Sequence, residues 1–417
     1  MIRGSLLSIV FAIFAKVVNA VSVLALTYLI SQRLELADAS LFFSTIAVLM
    51  LLGPITRLGV ERVLVKGVAR WNDTVDRSFL LFARDAATRV LWISVGSALA
   101  LFLVPQSWLA DSSAWSTVSV AGFALLGLNA GVFAGSVIQG YGWASSSLFL
   151  SAGALPSITA GVIYFGAFST LKELVAAYLA ASLAIFLTCG VLLIGIWRRQ
   201  VNEVAPRDVS DKAHWRASTA LWRVNVCTQI VQWSPQVILA AIAPAEVALL
   251  AVSQRVAMLV SFPTLAVNAV LGPKIAKQAG NGEIDQAYAL VTKACVGFIC
   301  YAIPMAILLW VYRIQVLELF GGAYASSGLV LLILGAGQLV ACVTGPVGTY
   351  IVMTDNQAVL DNIATKSAAI CILSSLIGAF FLGTVGAAVG AASAVAYQNI
   401  AAWQWSYRNH KQVRNPA

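Results

Sequence analysis

The sequence predicts an all-α membrane protein of about 12 transmembrane helices in two pseudo-symmetric six-helix lobes. Three observations carry that reading. First, 60% of the 417 residues are hydrophobic and 10% charged, with a mean hydropathy of +0.87. A soluble domain carries about 25% charged residues, so lipid is the solvent for most of these side chains. Second, the apolar residues come in long runs rather than in strict alternation, which selects helices over a transmembrane barrel. Third, the chain repeats itself. A shift of 209 residues lays Asn72, Val75, Asp76 and Phe79 over Asn281, Ile284, Asp285 and Tyr288. The same register pairs Ala39 with Ala248 and Ser44 with Ser253, which marks one copy of a duplicated unit in each half.

Taken in order, the apolar runs cover residues 5–30, 36–63, 79–104, 115–139, 148–168 and 174–197. The second half repeats the layout at 219–242, 247–271, 288–312, 324–353, 363–382 and 385–407. The start looks like a signal peptide, with Arg3, an apolar run and then Val18-Asn19-Ala20. The run continues to Ile30 and further spans follow, so it reads as an uncleaved first helix. Pro235, Pro263, Pro304 and Gly345-Pro346 interrupt spans, which lipid tolerates when neighbouring helices satisfy the freed backbone groups.

Charge sets the orientation. With the amino terminus inside, 21 of the 26 Lys and Arg lie on the cytoplasmic side. Three lie outside (Arg33, Lys172 and Arg313) and two within spans, Lys16 and Arg255. This places both termini in the cytoplasm and makes the pseudo-twofold axis parallel to the membrane normal. The expected domains are 1–197 and 216–417, joined by a short charged linker at 198–215. The net charge of +9 is spread over such loops, which argues against a nucleic-acid partner. All six cysteines lie in apolar runs and read as small buried hydrophobes; His214 and His410 sit in basic segments. No cofactor or metal motif, nucleophile elbow or phosphate loop stands out, and no catalytic residue is assigned. The glycines of the last two spans suggest close helix packing.

The candidate site comes from polar residues at membrane depth. All 17 acidic residues fall in loops or near span ends, so the intramembrane carboxylate of many ion-coupled carriers is missing. Lys16 falls near the middle of the first span and Arg255 about four residues from the middle of the eighth, or about 6 Å along the axis. A lone cation at that depth costs about 2.5–3.5 kcal/mol. Snorkelling, or pairing with carbonyls in a packed bundle, is one account; a water-filled space that accepts an anion is the other. The seventh span favours the second. Asn225, Gln229, Gln232 and Gln236 share one helix face, a stripe expected beside water more than beside lipid. Interhelical hydrogen bonding is the plainer role for any one of them. Lys16 is the repeat partner of Asn225, and Asn19 extends its face. Asn129 and Gln338 are also repeat partners, which suggests a shared packing role. Trp108, Trp115, Trp197, Trp215, Trp310 and Trp403 read as interface anchors, and mid-span Trp233 as packing more than sugar stacking.

Certain stretches resemble the multidrug/oligosaccharidyl-lipid/polysaccharide exporter superfamily, and within it the polysaccharide-type branch of O-antigen and exopolysaccharide lipid flippases. They are Arg57-Leu58-Gly59-Val60-Glu61-Arg62, Leu271-Gly272-Pro273-Lys274-Ile275-Ala276, the glycine-to-alanine segment 282–287, and Phe320-Gly321-Gly322-Ala323-Tyr324. The resemblance implies two lobes around a central cavity, with a portal where the first and eighth helices meet. It implies an undecaprenyl-pyrophosphate-linked oligosaccharide as substrate, moved from the inner to the outer leaflet of the bacterial cytoplasmic membrane. Membrane lipids and a polysaccharide polymerase or export machinery are the implied partners. Two extra carboxy-terminal spans of the lipid II flippases are missing, which argues against a peptidoglycan precursor. A cation-coupled multidrug antiporter of the same superfamily is the alternative; it would want carboxylates in the cavity. A membrane glycan ligase or polymerase would want a large outer loop, a major-facilitator transporter its basic loop signature, and a scaffold would leave the polar stripe without a purpose.

Overall fold

Helices build nearly all of the described chain, and where they break is what positions the polar residues. The structure is a computed structural model. It describes residues 2–70, 77–103, 119–166, 168–200, 212–354 and 356–414, and no strand occurs among them. The expected linker falls mostly in 201–211, outside the described residues, as do Trp108, Trp115 and the repeat positions Asn72, Val75 and Asp76.

The chain divides into two compact units, Met1–Val226 and Cys227–Ala417, and the division falls inside one helix. The first unit contains α1 (Ile2–Arg33), α2 (Leu36–Arg57), α3 (Val60–Arg70), α4 (Arg77–Leu103) and α5 (Ala124–Gly140). One span follows in three pieces, α6 (Ala144–Leu148), a π-helical turn Phe149–Gly153 and α7 (Ala154–Phe165). Then come α8 (Leu171–Gln200) and the start of α9 (Lys212–Ile242). The second unit holds the rest of α9, then α10 (Val247–Ala257), a 3-10 turn Met258–Ser261 and α11 (Phe262–Gly280). It continues through α12 (Ile284–Val311), α13 (Arg313–Glu318), α14 (Gly328–Val343) and α15 (Val347–Met353). Last is α16 (Gln357–Arg414), two helices meeting at Gly383.

Ten stretches of the described residues are long and apolar enough to cross a membrane. The last of them, Gln357–Lys411, holds two helices, and α9 supplies the remaining expected span. The chain is a multi-pass membrane protein.

Four spans are interrupted: the eighth and tenth beside the expected Pro263 and Gly345-Pro346, the second and fifth where the apolar pattern gave no sign. The second ends at Arg57 because Leu58 (φ 55) and Gly59 (φ 73) turn the chain left-handed. A side chain at Gly59 would lie 2.5 Å from the Ser218 carbonyl oxygen and 2.7 Å from the Trp222 nitrogen, so only glycine fits. Ser218 Oγ donates to Leu58 O at 2.6 Å and Trp222 Nε1 to Pro54 O at 3.1 Å, fixing the turn. The fifth span carries the π-helical turn, the eighth breaks at Met258–Ser261, and the tenth at Gly345-Pro346.

Proline explains much of this. A proline cannot donate to the carbonyl four residues back, and lipid offers that carbonyl nothing. Pro235 frees Val231 O, and Cys371 Sγ donates to it at 3.6 Å. Pro263 frees Leu259 O, and Tyr301 Oη donates to it at 3.1 Å. The cysteines are therefore not all inert filling. Cys295 Sγ likewise donates to Thr344 O at 3.4 Å, and Cys300 is exposed. The two helices of α16 cross in near backbone contact. A Cβ at Gly386 would sit 1.8 Å from Gly378 O, and one at Gly390 2.3 Å from Ser375 Oγ. His214 and Trp215 pack on Phe79 and Phe82, with the Arg89 guanidinium 4.6 Å from the Trp215 ring centroid, so Trp215 is a packing residue.

Candidate functional site

In the first unit the candidate residues lie on α1, where it packs against the fifth span. Lys16 is near the middle of the 32-residue helix and half-buried. Asn19 follows one turn later on the same face; its Oδ1 is buried and finds no donor. Across from it is Gly153, the last residue of the π-helical turn, and a Cβ there would stand 3.6 Å from the Asn19 Cβ. Ser22 and Ser157 close the face with an Oγ–Oγ hydrogen bond of 2.7 Å. A π turn inside a membrane helix is uncommon and concentrates at functional sites.

The amides of α9, which crosses the unit boundary, divide. Asn225, the last but one residue before the unit boundary, is half-buried, as are Gln229 and Gln232. Gln229 Oε1 accepts from Trp233 Nε1 at 2.9 Å, giving that indole a partner on its own helix. Gln236 is only 1% exposed. Its Nε2 donates to Gln254 Oε1 at 2.7 Å, and Gln254 Nε2 donates to the Gln232 carbonyl at 2.9 Å. Gln236 thus seals the contact between α9 and α10 instead of facing open space. Gln254 was not singled out by the sequence; its neighbour Arg255, and its fixed spacing to no other amide, hid it.

Arg255 stands in the last turn of α10, just ahead of the break at Met258–Ser261. It is half-buried, and its guanidinium donates to Ala251 O at 3.0 Å. A helix end inside a span offers carbonyls that favour a cation, and broken helices are where membrane transporters place ion and substrate contacts. Ser261, within the break, donates to Gln338 Oε1 at 2.6 Å. The charge and the break therefore occupy one place.

A second polar cluster was only partly legible. Arg57 Nε donates to Glu61 Oε1 at 2.6 Å, with both side chains 14% exposed. The same guanidinium reaches Asn129 Oδ1 at 3.0 Å, and Asn129 Nδ2 donates to Thr56 Oγ1 and Ser94 Oγ, each at 2.7 Å. Gly53 makes room, since a Cβ there would lie 2.8 Å from the guanidinium. Both amide hydrogens of Asn129 and its Oδ1 are engaged, a geometry that ties α2, α4 and α5 together. In the sequence Arg57 counted among the cytoplasmic-side cations, and its partners Glu61 and Asn129 were not tied to it.

Among the described residues the acidic side chains lie at or near helix ends. Where α9 meets α16 the polar atoms are neutral: Ser234 Oγ is 3.6 Å from Cys371 Sγ, and Ser367 Oγ donates to Ala394 O at 2.8 Å.

No protein-family model matches the sequence. No curated protein matches it either. Solved structures do. The lipid II flippase MurJ, in an inward closed conformation, superposes with a TM-score of 0.73 at 10% identity, over 97% of this chain and 87% of that one. An inward-facing multidrug resistance MATE family transporter of the MOP superfamily gives 0.69 at 14% identity, over 95% of both chains. A MOP superfamily transporter from Pyrococcus furiosus, described as having a binding pocket of reverse polarity, gives 0.64 at 14%, over 98% of this chain and 96% of that one. The chain therefore has the fold shared by MOP superfamily transporters and the MurJ flippase.

Proposed function

We propose that this protein moves a pyrophosphate-linked lipid oligosaccharide from the inner to the outer leaflet of the cytoplasmic membrane by alternating access. The observation that carries the reading is Arg255, a cation at a helix break inside a span, with Lys16 as its counterpart in the first unit. An anion gains from both charges, the half-buried amides Asn225, Gln229 and Gln232 suit sugar hydroxyls, and a prenyl tail can remain in lipid. The shared fold with a lipid flippase supports the reading, as does the position of the described carboxylates at helix ends. In this reading the chain is organised as two lobes, 1–197 and 216–417, joined by the linker 198–215.

The test is glycan export from cells carrying Lys16→Ala or Arg255→Ala at matched membrane abundance. Each is expected to lower export about tenfold, the effect of losing one charge-assisted contact of about 1.4 kcal/mol. Export at the wild-type level from both variants would refute the anion site. A change in drug sensitivity with normal export would instead support the multidrug antiporter.

A further inference from the structure

The two helices of α16 leave a groove of ≈ 440 Å³ between them that the candidate site does not use. Ala358, Asn362 and Lys366 line one wall at four-residue spacing, and Tyr397, Ala401 and Trp405 line the other at the same spacing. Facing rows at that period follow two helix faces, and eight residues carry them about 12 Å along the axis. The small Ala358 and Ala401 hold the groove open, while Val359 and Ile363 make its floor apolar. It begins next to Gln357, at the end of the spans reached from the basic loops, and runs inward to Lys366.

Lys366 is the informative residue. It lies nine positions inside the helix, about 13 Å from its start. No carboxylate pairs with it among the described residues, and Asn362, one turn away on the same face, is exposed beside it. A lysine that only snorkels needs a stem and a path to the interface. It needs no groove lined by Asn362, Tyr397 and Trp405. One positive charge with neutral donors and an apolar floor matches a group with one negative charge and a hydrocarbon chain. A pyrophosphate, carrying more charge, calls for more than the single cation of this groove.

We infer that the α16 groove binds the phosphodiester headgroup of an anionic phospholipid, with an acyl chain along Val359 and Ile363. The site is separate from the proposed translocation path and does not depend on that reading. A lipid bound there ties the two helices to the surrounding leaflet and makes the stability of the second unit sensitive to lipid composition.

The full chain is purified from mixed bilayers of phosphatidylglycerol and phosphatidylcholine, and retained lipid is counted by native mass spectrometry. The wild type is expected to keep phosphatidylglycerol in preference to phosphatidylcholine. Lys366→Gln is expected to lower that preference about fivefold, the worth of one basic residue near an anionic surface. Ala358→Phe, which keeps the charge and fills the exposed mouth of the groove, is expected to lower it as well. Full retention in Lys366→Gln would overturn the inference. Full retention in Ala358→Phe alone would reduce it to a snorkelling lysine. Preferential retention of an added polyprenyl phosphate would assign the groove to the carrier lipid and equally overturn it.

Discussion

A carbonyl freed by proline inside a membrane has no water to turn to, and here a side chain from a neighbouring helix answers it. Tyr301 does this for Leu259 at the break that follows Arg255, and Cys371 does it for Val231. Tyr301→Phe is expected to lower stability by about 1–3 kcal/mol, the penalty for a buried acceptor left without its donor. A thermal unfolding midpoint in detergent equal to wild type would show that Leu259 finds another partner. The prolines were plain in the sequence; their donors were not, because they come from residues 42 and 140 positions away. The amide stripe shows the same limit. Its spacing revealed the face, but only the side chain of Gln254 tells that Gln236 is sealed and Gln229 and Gln232 are not.

Elements were read better than their interruptions. Every expected span has its helix, since 20 or so apolar residues leave lipid as the only solvent and helix as the only local solution. What hydropathy misses is backbone sign and turn type. The second apolar run looked continuous to residue 63, yet it holds parts of two helices because Leu58 and Gly59 both take positive φ. The π-helical turn Phe149–Gly153 leaves no mark in the apolar pattern either. Two glycine variants separate conformation from space. Gly142 (φ 87) has nothing within 4 Å of an added Cβ, so Gly142→Ala meets only the strain of positive φ, about 1 kcal/mol. Gly59→Ala meets the same strain and also the backbone at Ser218 and Trp222. It is expected to abolish the monodisperse folded protein that Gly142→Ala retains. Equal behaviour of the two on size-exclusion chromatography would mean that the α2–α3 turn is not held by close packing.

For the molecule as a whole, the repeat, the basic loops and the apolar runs led from sequence to the fold now shared with MOP transporters and MurJ. Lys16 and Arg255 were picked out by depth, and the structure adds to each a local irregularity, a π-helical turn across from Asn19 and a helix break beside Arg255. If transport alternates water between the two faces, Gln229 and Gln232 must meet water in one state. With the exposed Cys300 replaced by serine, Gln229→Cys and Gln232→Cys are expected to react with a membrane-impermeant thiol reagent. Complete protection of both in every condition would place them in a dry helix contact. The central claim, that an anionic lipid-linked glycan crosses the bilayer through this chain, has a more direct test. Cells without the protein, complemented by wild type or by the Lys16→Ala/Arg255→Ala double variant, are assayed for lipid-linked oligosaccharide held on the inner leaflet. The account predicts clearance with the wild type and accumulation with the double variant; no accumulation in cells lacking the protein altogether would contradict it.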